Sequence, residues 1–334
     1  MSSNVINLKK KQLFAKLPVE FPHGGGIEAA ARRWQCEASD VLDLSTGLHP
    51  AGAPVWLPEW LQANASLVAH YPEVTGEPAR SALADEFGVE PENVVITAGA
   101  QAVIEVVFQA MGWSSVAIEV PCYSEPIRCA NRAGCQVFPF DASEVIPETE
   151  AFWLTSPSNP LGDLKPFPDG RIGLLDESYM PFSQRRTLGL LSKVIRLGSL
   201  TKSFSVPGLR LGYVVADAEI VQKLNQWLPP WPASTLGLHL LPRLLKESDL
   251  RDEQIVVGRN RLSRLLESYG WEVRPSEASF LMARPNASIP DFSVERILVR
   301  RFPEWPQLKG WVRFGLPGRE SDWKRLEKAL CQSH

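Results

Sequence analysis

Four short segments carry residues whose types and spacing could do chemistry. Thr155-Ser156-Pro157-Ser158-Asn159-Pro160-Leu161-Gly162 holds an amide side chain in a turn-prone run. Leu175-Asp176-Glu177-Ser178-Tyr179 ends an apolar run on a carboxylate, with a phenol three residues on. Gly198-Ser199-Leu200-Thr201-Lys202-Ser203-Phe204 sets two hydroxyls beside a lysine. Val206-Pro207-Gly208-Leu209-Arg210-Leu211-Gly212-Tyr213 follows with an arginine. Singly, each is commonplace. An Asp-Glu-x-Tyr run is usually a surface turn, a lone lysine is usually solvated, and Asn-Pro marks an ordinary turn. In this order, each next to a predicted strand end, they suit one purpose, because open α/β sheets bind ligands at the carboxyl ends of their strands.

The chemistry follows from the functional groups. The Lys202 amine can form a Schiff base with an aldehyde. A carboxylate at Asp176, facing a pyridine nitrogen, keeps that nitrogen protonated and makes the ring an electron sink. Asn159 and Tyr179 can hydrogen-bond a ring hydroxyl. Ser199 and Thr201 can donate to a phosphate, and Arg210 can add a forked, charged contact. Thr97-Ala98-Gly99-Ala100-Gln101 lies between a predicted strand and an apolar helix, so the backbone at Ala100 and Gln101 offers a helix N-terminus to the same phosphate. Tyr123, in Pro121-Cys122-Tyr123-Ser124-Glu125, is placed to stack on a ring. The ligand that uses all of these is pyridoxal 5′-phosphate (PLP). Lys202, Asp176 and Tyr123 are the candidate catalytic residues, acting on an amino acid or amino-acid phosphate.

Such a site needs a parallel sheet beneath it. Short runs rich in Val, Ile and Leu predict strands over Val94–Thr97, Ser115–Val120, Gln136–Phe140, Ala151–Thr155, Ile172–Asp176, Val194–Ser199 and Gly212–Ala216. Helical or loop segments separate them, Ala102–Met111 being the first helix, and this alternation argues an α/β fold. Further helices are expected over Ala218–Gln226, Gln254–Gly270 and Ser321–Cys331, and strands over Phe280–Ala283 and Trp311–Phe314. The run Leu228-Pro229-Pro230-Trp231-Pro232 interrupts the helical stretch. The expected division is a large domain over residues 46–230, with both chain ends, 1–45 and 231–334, forming a smaller α+β domain.

The bulk numbers fit this reading. The chain has 334 residues with 44% apolar and 22% charged content, ordinary values for a globular enzyme. A net charge of −3 gives no footprint for nucleic acid. Lys9, Lys10 and Lys11 read as a solvated start. The absence of a 20-residue apolar stretch predicts no membrane span. The five cysteines form no CxxC pair and are expected to be reduced thiols in a cytoplasmic protein. The five histidines show no zinc-like spacing, and no metal is expected.

These segments resemble fold-type I PLP enzymes of the class I/II aminotransferase superfamily, over nearly the whole chain from about His23. The resemblance implies a large domain built on a mostly parallel seven-stranded sheet, with a smaller α+β domain. It makes Lys202 the cofactor lysine and Asp176 the partner of the pyridine nitrogen. Asn159 and Tyr179 go to the ring hydroxyl, and Ser199, Arg210, Ala100 and Gln101 to the phosphate. Tyr71, in His70-Tyr71-Pro72-Glu73, resembles the tyrosine that such enzymes lend to a neighbour's cofactor phosphate, which implies a homodimer.

Within the superfamily, His23-Gly24-Gly25, Asp43-Leu44-Ser45-Thr46-Gly47, the run from Ser199 to Arg210 and Ile297-Leu298-Val299-Arg300-Arg301-Phe302-Pro303 look like the threonine-phosphate decarboxylases of cobalamin synthesis. These convert L-threonine O-3-phosphate to (R)-1-amino-2-propanol O-2-phosphate. Histidinol-phosphate aminotransferases are the nearest look-alikes and the alternative reading. A cofactor-binding or interaction protein that is not an enzyme is the third. Arg313, in Trp311-Val312-Arg313-Phe314, matches the arginine for the substrate carboxylate. Arg300 matches one near the substrate phosphate, with His23 and Arg32 or Arg33 as further candidates.

The chain also departs from the family pattern. The connection from Gly162 to Asp176 is short, with a Pro-Phe-Pro-Asp-Gly turn where a crossover helix is usual, so one sheet face should be less covered. Thr97, Ala98, Ala102, His49 and Leu161 replace residues common in the family.

Overall fold

A computed structural model describes residues 23–183, 185, 188–246 and 252–331. The lysine run at 9–11 lies outside them. The strands are β1 Leu42–Asp43, β2 Val94–Ala98, β3 Ser115–Glu119, β4 Gln136–Phe140, β5 Ala151–Thr155, β6 Gly173–Asp176, β7 Val194–Ser199, β8 Leu211–Val215, β9 Trp271–Val273, β10 Phe280–Pro285, β11 Ile297–Leu298, β12 Arg300–Arg301 and β13 Val312–Gly315. The predicted strands of the large sheet are all present, with ends within a residue or so of those expected.

The large sheet has seven strands in the order β2-β8-β7-β6-β5-β3-β4. All pair in parallel except β8, which runs antiparallel to both β2 and β7. Successive side chains on a strand point to opposite faces, and the sheet fills both faces with apolar residues. On one, Val95, Ile118, Trp153, Leu174, Ile195 and Val214 pack with the helices Ala100–Met111, Glu125–Arg132 and Ala218–Asn225. On the other, Val94, Ile96, Leu211, Tyr213 and Val215 pack with the helices Ala79–Phe87 and Thr235–Leu245. Burial on both faces is why these strands read as continuous apolar runs.

The smaller domain holds a four-stranded antiparallel sheet, β12-β13-β10-β9. Phe280, Leu281, Phe314 and Trp271 join Leu262, Leu266 and Leu326 in a second core, contributed by the helices Asp252–Ser268 and Glu320–Cys331. A parallel pair, β1 with β11, ties Leu42 and Asp43 to this end of the molecule. Among the described residues, no helix is long and apolar enough to cross a membrane.

The connection from β5 to the parallel β6 contains no helix. Its turn is held by its own bonds: the Ser156 hydroxyl donates to the Lys165 carbonyl at 2.7 Å and accepts from the Lys165 amide at 2.8 Å. Phe167 packs edge-on against Phe152 at 5.4 Å. A hollow of about 620 Å³, lined in part by Leu164, Phe167, Leu175 and Leu191, remains beside it. The thinner cover expected on this face is therefore seen, and one aromatic side chain does part of the work of the missing helix.

Candidate active site

Every predicted large-sheet site residue lies at one edge of the sheet. Lys202 follows β7, Asp176 ends β6, Asn159 follows β5, Tyr123 follows β3, and the helix opening at Ala100 follows β2. Arg210 precedes β8, and because β8 is antiparallel its start falls at that same edge, with Leu211 opposite Ala98. Together they line a cavity of about 230 Å³ that also takes in His23, Gln101, Tyr179, Ser199, Thr201, Arg300 and Arg313.

One end of this cavity is built for an anion. Gly99 (φ +79°) turns the chain into the Ala100–Met111 helix, whose first N–H groups have no partners within the helix. Arg210, with φ +53°, lays its guanidinium against Gly99, where a Cβ would sit 2.7 Å from Nη2. A Cβ on Gly212 would meet the Gly99 carbonyl carbon at 2.4 Å and the Ala100 nitrogen at 2.5 Å. Two glycines thus let β8, the arginine and the helix N-terminus converge. The Ser199 and Thr201 hydroxyls are 2.7 Å apart beside them. This donor set suits a phosphate.

The middle suits a protonated ring. Asp176 is buried, which pushes its carboxyl pKa up, while the Lys202 ammonium and hydrogen bonding at Ser178 oppose the rise. The Ser178 amide donates to its Oδ1 at 2.9 Å. A buried carboxylate here would be most comfortable against a second positive charge. Lys202 Nζ lies 5.0 Å over the Tyr179 ring. Tyr123 donates from its hydroxyl to Gln101 Oε1 at 3.1 Å. Burial pushes its phenol well above the usual range, with Glu125 adding to the rise, so it stays a neutral donor.

The far end belongs to the smaller sheet. Arg300 and Arg313 are directly paired across β12 and β13, which sends both side chains to one face. Arg313 is buried; Nη1 donates to Asn159 Oδ1 and Nη2 to the Ser45 carbonyl at 2.5 Å, while Nε has no hydrogen-bond partner among the described residues. Burial lowers its proton affinity, and Tyr179, Asp43 and Glu304 oppose that. The Ser45 hydroxyl accepts from the Gly25 amide at 2.9 Å, so the Asp43–Gly47 turn joins the His23 segment to Arg313.

Some predicted residues stand apart. Tyr71 is 78% exposed and rests on Trp231, ring centroids 4.5 Å apart. Arg32 and Arg33 are exposed on the helix Ile27–Trp34, and neither lines the cavity. His23 lines the mouth but pairs with Glu125 at 3.3 Å and tilts against Tyr123 at 5.5 Å. Arg300 is paired with Glu304. Sequence reasoning passed over Glu304, Phe302 and Glu125. Only the closeness of Glu304 to Arg300 in the chain gave any signal, and a turn could have sent it anywhere.

Comparison with known proteins places these features. Residues 39–322 match the model of the family described as "Aminotransferase class I and II". The chain is 29% identical over 336 residues to the threonine-phosphate decarboxylase of Pseudomonas aeruginosa, covering 92% of this chain and 96% of that protein. It is 28% identical over 285 residues to the histidinol-phosphate aminotransferase of Pyrococcus furiosus, covering 78% and 82%. The fold is similar to the crystal structure of histidinol-phosphate aminotransferase from Sinorhizobium meliloti in complex with pyridoxal-5′-phosphate, with a TM-score of 0.79 and 19% identity over 96% of each chain. With an anion cradle, a half-buried lysine and a buried aspartate lining one cavity, and this likeness along most of its length, the chain belongs to the aminotransferase class I and II family, whose cofactor is pyridoxal 5′-phosphate.

Proposed function

We propose that the protein decarboxylates L-threonine O-3-phosphate to (R)-1-amino-2-propanol O-2-phosphate, in cobalamin synthesis. The observation that carries this reading is the pairing of Arg300 with Arg313 across β12 and β13, which brings two guanidinium groups into the cavity that Lys202 lines, one of them shared with Glu304. A substrate with two anionic groups suits that arrangement. The likeness to a threonine-phosphate decarboxylase over 92% of the chain supports it.

Bound at Lys202, PLP supplies an electron sink for the pair left at Cα when a bond there breaks. The protein residues do the rest. The Ala100 and Gln101 amides, Ser199, Thr201 and Arg210 hold the cofactor phosphate. Asn159 and Tyr179 contact the ring hydroxyl, and Asp176 holds a proton at the pyridine nitrogen. Tyr123 would stack on the ring. Arg313 forks onto the substrate carboxylate and Arg300 meets the substrate phosphate, with His23 at the mouth. Fixing both ends of the substrate would hold its Cα–carboxylate bond in the one orientation that decarboxylation needs. Lys202 then delivers a proton to Cα. Tyr71, exposed on its own subunit, reaches the cofactor phosphate of a second copy in a homodimer.

The test is incubation with PLP and L-threonine O-3-phosphate, without any oxo acid. Carbon dioxide and aminopropanol phosphate should form, and Lys202→Ala should abolish both. The second reading, an aminotransferase on histidinol phosphate, is favoured by the histidinol-phosphate aminotransferases among the relatives. It would show as turnover only with 2-oxoglutarate.

A further inference from the structure

One buried charge in the cavity has no part in the steps above. Glu304 sits in the turn after β12, with its side chain only 3% exposed. Its Oε1 accepts from Arg300 Nη2, while its Oε2 is buried with no hydrogen-bond partner among the described residues. The turn around it is firmly held. Phe302 lies under the Arg300 guanidinium at 4.6 Å, and the buried Trp305 donates its indole N–H to the Cys122 carbonyl at 3.2 Å. A buried carboxylate oxygen without a donor is costly, so a donor supplied by the ligand would stabilise it.

The charge balance narrows what that ligand group is. Arg313 is matched by the substrate carboxylate. Arg300 and Glu304 then form a neutral pair with one open acceptor. The complementary group must accept from the guanidinium and donate to the carboxylate. An ionised carboxylate cannot donate, and neither can a phosphate dianion. A phosphate monoester that keeps one proton does both.

We propose that Glu304 is a specificity-determining residue, which makes the Arg300 subsite a receptor for the singly protonated, monoanionic form of the substrate phosphate. One phosphate oxygen lies on Arg300 and the P–OH donates to the Glu304 carboxylate, which turns about its last bond so that it is shared between the Arg300 guanidinium and the ligand. This rests on the phosphate reading given above. A phosphate monoester loses its second proton with a pKa of about 6. At higher pH the free ester is a dianion, and binding takes one proton from the buffer.

Other charged and titratable groups face the pair. Arg313 comes from β13, His23, Tyr123 and Cys122, whose thiol burial keeps protonated, from the β3 side and the mouth, and Lys202, Asp176, Tyr179 and Arg210 from the large sheet. Of these side-chain types, only histidine ordinarily titrates in the same window as a phosphate, so His23→Gln is the companion variant.

The experiment is calorimetric titration of the holoenzyme with 3-phosphooxybutanoate, the substrate analogue without its amine, at about pH 8 in two buffers of different ionisation enthalpy. The wild-type protein should take up about one proton per ligand bound, a count that needs no variant. Glu304→Gln should bind the analogue at least about tenfold more tightly with no uptake, because the amide can donate to the dianion. His23→Gln should keep the uptake. Binding without proton uptake in the wild type, or uptake that survives in Glu304→Gln, overturns the proposal. If the analogue binds no better than 3-hydroxybutanoate in every variant, the phosphate reading itself fails and takes the proposal with it.

Discussion

At the scale of single residues, the site is a set of charges placed by their immediate neighbours. Among the described residues, Lys202 is the only lysine lining the cavity. Borohydride reduction of the holoprotein should fix PLP to it, and mass spectrometry should find no adduct at that position in Lys202→Ala. Arg313 is held from both sides by Asn159 and the Ser45 carbonyl, which leaves its fork in one orientation. A lysine could not span both contacts and a carboxylate. Arg313→Lys should therefore raise KM roughly thirtyfold, a loss of about 2 kcal/mol. Asp176 gives a pH prediction. Burial raises its pKa in the folded protein. A group that binds its proton more tightly when folded contributes most at low pH, and that contribution is lost as pH rises through the raised value. Without cofactor, Asp176→Asn should gain melting temperature over wild type as pH rises from about 4 to 7, and PLP should stabilise it less than wild type. A constant offset between the two proteins across that range would count against this account.

At the scale of elements, the phosphate cradle depends on how closely β8 approaches the start of the Ala100–Met111 helix. Gly212 makes that approach possible, since a Cβ there would lie 2.4 to 2.5 Å from the Gly99–Ala100 peptide. Backbone cannot yield as a flexible side chain can. Gly212→Ala should push the helix N-terminus out of place and weaken PLP binding by at least about tenfold, read by equilibrium titration of the cofactor absorbance. The smaller sheet follows similar logic. The direct pairing of Arg300 with Arg313 puts both guanidinium groups on one face, and a slip of one residue in β12 would turn Arg300 away. The helix Thr235–Leu245 carries Pro242 inside it, yet buries Leu238, Leu240, Leu241 and Leu244. Packing outweighs the lost backbone bond there, which is why its bounds could not be drawn from sequence.

At the scale of the whole molecule, the large sheet supplies one end of the cavity, the cofactor end in the proposed reading, and the smaller sheet supplies the other. Tyr71 lies outside both, exposed against Trp231. If it serves a second copy, each complete site needs two chains. Mixing Lys202→Ala with Tyr71→Ala protein, each impaired alone, should then restore activity as subunits exchange. No recovery, from chains that sedimentation shows to exchange, would remove Tyr71 from the site.

Much of this was legible in the sequence, and the reason is physical. A sheet buried on both faces needs unbroken apolar runs, so β2 to β8 showed themselves. Strand ends then place Lys202, Asp176, Asn159 and Ala100 at one edge from local pattern alone. The helix-poor connection before β6 was also evident, because its length and its prolines leave no room for a helix. What the sequence could not carry was anything decided by contact between distant segments. The match of Arg300 with Arg313 depends on antiparallel register. The bond from Arg313 to Asn159 joins residues 154 positions apart, and the one to Ser45 spans 268. The open oxygen of Glu304 exists only because Phe302 and Trp305 fix its turn against the large domain. Local pattern names the groups that can react, whereas the pairing of charges across long separations is set by packing, and only the tertiary structure decided it.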